Sequence, residues 1–216
     1  MTLALDYIRN QLKKGYSPII LIVGKQRVGK TALALRLAFE LNPKFDIEKE
    51  MFFEIEKFAS FIHKCDNKVL LLDEAGITLD PYEHMSVTQR VYNHIIQTQA
   101  YKKNVIFLIL PFASEIGKTH RKHVSGIIEV IWRGGYKFYS ASCWHSDLSY
   151  KPPRLTLIEQ ISGVPLPPKH IWENYIEFGQ KVYKEQILNL QIDILAKKKI
   201  ANTQIKQKAI NIMAMS

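Results

Sequence analysis

Residues 24–31 read Gly24-Lys25-Gln26-Arg27-Val28-Gly29-Lys30-Thr31. They match the pattern G-x-x-x-x-G-K-T/S, the Walker A signature of a phosphate-binding loop. Each position answers a physical demand. The glycines permit positive φ and close backbone approach. The loop N–H groups of Gly24, Lys25, Gln26, Arg27, Val28, Gly29, Lys30, Thr31 and Ala32 are then free to turn inward on phosphate oxygens. Lys30 is expected to reach the β- and γ-phosphates and the Thr31 hydroxyl to ligate Mg²⁺. The context agrees. Pro18–Val23 is a short continuous apolar run of buried-strand type, and Thr31–Leu41 is rich in helix formers and stops before Asn42-Pro43. A strand before and a helix after argue against a chance Gly-rich turn.

A second stretch fits beside it. Lys68-Val69-Leu70-Leu71-Leu72-Asp73-Glu74 is an apolar strand ending in two acids, the Walker B pattern. Asp73 is the expected Mg²⁺ carboxylate, acting through water because Mg²⁺ dehydrates reluctantly. Glu74 is the candidate base that orients the attacking water. An acidic turn at a strand end is the competing reading, weakened by the loop about forty residues upstream. A Glu directly after the Asp suits ATP hydrolysis. No N-K-x-D stretch for guanine reading occurs, since Asn67-Lys68-Val69-Leu70 lacks the Asp, and no Arg-rich lid of the small-molecule kinase type is evident.

The chain has 216 residues, enough for one α/β domain and an appendage, and its 47% hydrophobic content supports a core. The formal charge is +10 with a pI near 9.5, which suits an anionic partner or simply a basic surface. The excess is uneven. Residues 101–137 hold seven Lys and Arg against two Glu, a net +5, and residues 181–216 hold seven Lys against two acids, again +5. By sequence order the first cluster falls beside the expected catalytic edge. Cys65 and Cys143 show no metal spacing and read as small core residues. No signal-peptide core opens the chain, and runs such as Val105–Pro111 are too short to span a bilayer, so the expected location is the cytoplasm, a host's cytoplasm if the protein is viral.

Periodicity and punctuation predict helices at Leu3–Lys14, Thr31–Leu41, Glu56–Lys64, from Ser86 to about Tyr101, and Ser114–His123. Strands are predicted at Ile19–Val23, Met51–Phe53, Val69–Leu72, Val105–Leu110, and in a hairpin of Ile127–Trp132 and Tyr136–Trp144 around Gly134-Gly135, with a last strand at Arg154–Ile158. The expected fold is α/β: a P-loop NTPase with a mostly parallel sheet flanked by helices, antiparallel edge strands and a C-terminal helical extension. We expect a core over residues 1–164 and an extension over 165–216. Its helix, from Trp172 to about Lys199, packs on its own domain or serves subunit contact. Its basic tail, Ile200–Ser216, is expected to be partly disordered.

The order of Gly24–Thr31, Leu70–Glu74, then Tyr101-Lys102-Lys103-Asn104 leading into Val105–Leu110, and Glu115 to Arg121, resembles the additional-strand P-loop ATPases. The likeness is greatest to the FtsK/HerA-like group, which includes virus genome-packaging ATPases and the Zot-like ATPases of filamentous phages. It covers roughly residues 17–140. The resemblance implies ATP and Mg²⁺ as cofactors, a homo-oligomer of ring type, and double-stranded DNA as the translocated partner, with a capsid or replication protein recruiting it. It also implies an arginine finger. The candidates are Arg90, Arg121 and Arg133, with Arg121 first because it follows the sensor strand. Lys102, Lys103, Lys118 and Lys122 are the candidate DNA contacts. Such ATPases usually end the sensor strand in Gln or Asn. Here it ends Leu110-Pro111-Phe112-Ala113-Ser114, leaving Ser114, Gln97 or Gln99 to serve. His120 and His123, three apart, lack a third metal ligand. The alternative functions are a switch-type ATPase such as a replication initiator or loader, and a small-molecule kinase.

Overall fold

The computed structural model describes residues 2–73, 102–113, 123–142 and 154–213. The elements in chain order are α1 (Leu3–Lys13), β1 (Ile19–Val23), α2 (Lys30–Leu41), α3 (Ile47–Glu50), β2 (Met51–Phe52), α4 (Ile55–Ile62), β3 (Val69–Asp73), β4 (Val105–Leu110), β5 (Gly126–Trp132), β6 (Gly135–Ser142), β7 (Arg154–Ile161) and α5 (Lys169–Met213). The chain divides into two compact units, Met1–Glu173 and Asn174–Ser216. Helix α5 takes in the lysine- and glutamine-rich stretch for which composition suggested partial disorder. The expected helices at 86–101 and 114–123 lie outside the described residues, apart from His123.

The strands form one seven-stranded sheet in the order β2-β3-β4-β1-β5-β6-β7. The pairs β2–β3, β3–β4, β4–β1 and β1–β5 are parallel, and β5–β6 and β6–β7 are antiparallel. The mostly parallel sheet with antiparallel strands at an edge is therefore as expected. Its chemistry is visible in the strands. Ile19–Val23, Val69–Asp73 and Val105–Leu110 are buried at every position, as parallel strands covered on both faces must be. Alternate residues serve the two faces. Ile19, Leu21, Val23, Leu70, Leu72, Ile106, Leu108 and Leu110 meet Phe58 and Ile62 of α4. Ile20, Ile22, Leu71, Phe107 and Ile109 point the other way, where α2 packs on β1, β3 and β4. Cys65 is buried in the α4-side core, where burial pushes its thiol above the usual range.

The hairpin turn is shifted by one residue from the expected Gly134-Gly135. Strand β5 ends at Trp132 and β6 begins at Gly135, so Arg133-Gly134 is the turn, with Gly134 at φ +77°. A bulge between Val130 and Trp132 accommodates it.

At the N-terminal edge of the sheet, buried Asn104 acts as a clasp. Its Oδ1 accepts from the Lys68 backbone N–H (2.9 Å) and its Nδ2 donates to the Cys65 carbonyl (3.1 Å). Lys68 in turn reaches buried Glu50 (2.8 Å), which raises the lysine pKa. Replacing Asn104 with Ala removes both hydrogen bonds and leaves the part-buried Lys68 N–H without its acceptor. The expected loss is about 2–3 kcal/mol, read as a lower midpoint in urea unfolding with an unchanged m-value.

Candidate nucleotide site

The loop is built at the point where β1 runs out. Gly24 donates its N–H to the Pro111 carbonyl at the end of β4 (3.3 Å) and lies against β5 on its other side. A Cβ at Gly24 would sit 2.5 Å from the Val130 carbonyl oxygen, and its φ is +150°, so a side chain is excluded twice over. Arg27 takes φ +63° and Gly29 φ +99°, so the chain reverses into α2 through left-handed backbone. Lys25, Gln26 and Arg27 are exposed on the loop.

Gly29 is the N-cap of α2. No side chain caps that end and no acid occupies its first turn. A helix start with no side-chain cap and no acid of its own in the first turn is the kind of terminus that suits an anion. Lys30 folds over the loop, donating to the carbonyls of Gly24 (2.7 Å) and Lys25 (2.9 Å). Thr31 points across the sheet edge and donates its hydroxyl to Asp73 Oδ2 at 2.7 Å.

Asp73 is 4% exposed at the C-terminal end of β3. Burial raises its pKa above the ordinary carboxylate range, opposed by the Thr31 hydrogen bond and the Lys30 charge. A buried carboxylate and a hydroxyl sharing one hydrogen bond form a hard oxygen pair of the kind that Mg²⁺ takes alongside water and phosphate oxygens. The residues present therefore fit Mg²⁺ with a nucleotide triphosphate. Thr31 and Asp73 could hold the ion, and Lys30, Gly29 and the start of α2 the phosphates.

Glu74, Arg90, Gln97, Gln99, Ser114, Glu115, Lys118, His120, Arg121, Lys122 and Cys143 lie outside the described residues. Arg133 is exposed at the tip of the β5–β6 hairpin, on the loop's edge of the sheet. Lys102 and Lys103 precede β4 and so lie at the opposite, N-terminal edge. Sequence order had put their cluster beside the catalytic edge. The direction of β4 reverses that for these two, because residues before a parallel strand stand at its far end. Lys102 donates to the His63 carbonyl (2.6 Å) and lies 3.5 Å from Asp66. The sequence reading also did not bring β5 to the loop. The signal for that contact was a strand running into Trp132-Arg133-Gly134, but its pairing partner is distant in the chain.

No family model and no curated protein matches the chain. Among solved structures it is similar to the N-terminal domain of zonular occludens toxin from Neisseria meningitidis, at 12% identity over 73% of this chain and 98% of that one, with a TM-score of 0.40. It is also similar to the DnaC helicase loader, at 19% identity over 52% of this chain and 71% of that one, with a TM-score of 0.30. Both likenesses are distant. The loop between β1 and α2, with a strand order that brings Asp73 to Thr31, defines a P-loop NTPase fold on its own.

Replacing Asp73 with Asn tests the electrostatics. A raised carboxyl pKa means the folded state holds that proton more tightly than the unfolded chain does. The group's unfavourable contribution is absent below the ordinary carboxylate range. It grows as pH rises through that range to the raised value, and it is fully present at neutral pH. Asp73→Asn without nucleotide is thus expected to exceed wild type in stability at pH 7. The difference should close in acid. Thermal melts of both proteins across pH check this, and an equal gap at every pH would refute it.

Proposed function

We propose that the chain is a Mg²⁺-dependent ATPase of the additional-strand class, and that it works as an oligomeric motor on double-stranded DNA. The observation that carries the first part is the 2.7 Å hydrogen bond from Thr31 to Asp73, made across β4. Strand β4 lies between the strand that feeds the loop and the strand that bears Asp73. That inserted strand separates this layout from P-loop proteins in which the two motif strands are neighbours.

In this reading Mg²⁺, when bound, offsets charge on the β- and γ-phosphates. Lys30 exchanges its loop carbonyls for phosphate oxygens. Thr31 and Asp73 orient the ion's oxygen shell. Glu74, the next residue after β3, takes the proton of the attacking water. Arg121 is the first candidate for a finger supplied to a neighbouring subunit, with Arg133 the alternative on the loop's edge.

The DNA part rests on charge. A net +10 favours a polyanion, and the two +5 clusters are the candidate contacts, with Lys102, Lys103, Lys118 and Lys122 in the first. Residues 1–164 are assigned to catalysis and 165–216 to assembly. Support for assembly comes from α5, where Leu188, Ile192 and Leu195 are each more than half exposed at helical spacing. A capsid or replication protein is the proposed recruiting partner, in the cytoplasm. Among the described residues no helix is long and apolar enough to cross a membrane.

One observation favours the switch-type alternative. The described tip of β4 carries Pro111 and Phe112 where a polar sensor would lie, and Phe112 is 62% exposed. A site without that sensor suits slow hydrolysis, with ATP state controlling protein–DNA assembly.

Steady-state ATPase assays with and without duplex DNA separate these readings. A motor is expected to be stimulated by DNA. Its DNA affinity should fall by about 10³-fold between roughly 50 and 200 mM salt if some six phosphates are contacted. Lys30→Ala is expected to lower the rate by about 100-fold or more. A rate indifferent to DNA at both salts would sink the motor reading.

A further inference from the structure

The Thr31–Asp73 pair sets the direction in which a bound nucleotide must lie. It places the ion and terminal phosphates on the β3–β4 side of the loop. A nucleotide laid out in extended form from there would carry its base away from β3, toward the β5 side of the loop. Here β5 outruns β1: their pairing ends at Val23 with Glu129, so Val130–Trp132 continue beyond the point where the loop begins. At ~3.3 Å per residue that overhang stands about 10 Å above the last paired residue. The loop touches its base, since the Val130 carbonyl occupies the space a Gly24 side chain would need.

Trp132 ends this overhang, and its indole is held. A Cβ on Gly135 would lie 2.3 Å from Trp132 Cε2 and 2.4 Å from Nε1, so the ring lies across the hairpin backbone where only glycine fits. The turn beneath it is braced by a hydrogen bond from the Val164 N–H to the Gly134 carbonyl (2.7 Å). One side of the indole is thus covered by the hairpin, yet the residue remains 44% exposed. A large flat aromatic, packed on the hairpin on one side, open on the other and carried by the strand that flanks the loop, offers a stacking surface with little ordering cost.

We propose that Trp132 is the platform on which the base of a bound nucleoside triphosphate stacks. This rests on the P-loop reading and adds the residue that grips the base. The loop binds phosphates and contributes nothing to the base, so nucleotide over bare triphosphate is selected at Trp132. Stacking uses the π-face that every base has. It therefore needs no guanine-reading motif, and the chain has none.

The experiment titrates the full chain with Mg·ATP and with Mg·tripolyphosphate, following tryptophan fluorescence and calorimetric heat. Wild type is expected to show quenching with ATP and none with tripolyphosphate. Trp132→Ala should bind ATP about 10-fold more weakly or worse while binding tripolyphosphate as wild type does. Trp132→Leu, which keeps apolar cover on Gly135 without a flat ring, should show the same selective loss. Trp132→Phe should keep the ATP affinity and lose the quench. Unchanged ATP affinity in both Trp132→Ala and Trp132→Leu would overturn the platform. So would equal loss of ATP and tripolyphosphate in both, which marks a packing role. Wild type that binds neither ligand, or Lys30→Ala that binds both as wild type does, would instead overturn the P-loop reading, and the platform with it.

Discussion

Five of the described strands are joined by parallel pairing, so all their C-terminal ends open at one edge of the sheet. Everything at the candidate site follows from that constraint. A parallel strand leaves its neighbours' last carbonyls and the next helix's first N–H groups on the same side. The loop after β1 can then be held from both flanks. Pro111 at the end of β4 accepts from Gly24, and Val130 of β5 presses on the same residue. Only the absence of a side chain at Gly24 lets these two contacts coexist. Across β4, at two strand spacings of ~4.8 Å, Asp73 still meets Thr31 because the long hydroxyl-bearing end of α2 leans over β4 toward β3.

That meeting is costly for the protein without nucleotide. Asp73 is buried, and burial acts against its ionised form. One hydroxyl donor and the Lys30 ammonium partly compensate. A divalent ion would satisfy the carboxylate far better than either. The site is therefore electrostatically unfinished in the direction that favours a cation and its polyanionic ligand. Lys30, resting on backbone carbonyls, holds a weaker position than phosphate oxygens would supply. Stability given up at Asp73 would be recovered if a cation bound there.

How much of this was legible beforehand depends on how local each cause is. The loop was legible because Gly24, Gly29, Lys30 and Thr31 each answer a demand made within eight residues. The buried strands were legible because a strand covered on both faces must be apolar throughout, as Ile19–Val23 and Val105–Leu110 are. The hairpin was legible to within one residue, missed because Arg133 accepts the first turn position and Gly134 alone takes positive φ. Strand order was not legible from any local feature. The placement of β4 between β1 and β3 is decided by pairing across long separations, and it entered the sequence reading only as a family resemblance. The same blindness hid the overhang of β5 above the loop. The position of Lys102 and Lys103 was within reach, since residues that precede a parallel strand stand at its N-terminal end. Counting charge by sequence window overlooked the strand's direction. Glu74 was read from the Walker B pattern and Arg121 from its place after the sensor strand, and both lie outside the described residues.

The tip of β4 bears most on how the proposed ATPase would work. A strand inserted between the two motif strands puts its last residues beside the position of the terminal phosphate. In this chain those residues are Leu110, Pro111 and Phe112. Pro111 has no N–H to offer, and its carbonyl is engaged by Gly24. Phe112 has no polar atom in its side chain. The Pro111 carbonyl thus braces the loop, and the side chains at this point offer no polar group to position a water. A polar side chain that senses the terminal phosphate would therefore come from beyond Ala113 or from another element. Coupling between phosphate loss and movement would then run through that element. A β4 that only braces gives a loop whose resting shape is well defined before nucleotide arrives. On the proposed function, the hydrolysis rate would then be governed by parts that can be supplied or withdrawn, such as a neighbouring subunit's arginine or a DNA-bound segment. This arrangement is compatible with a motor whose subunits fire in turn and with a switch that waits for its partner. The difference between them lies in who delivers the missing polar group.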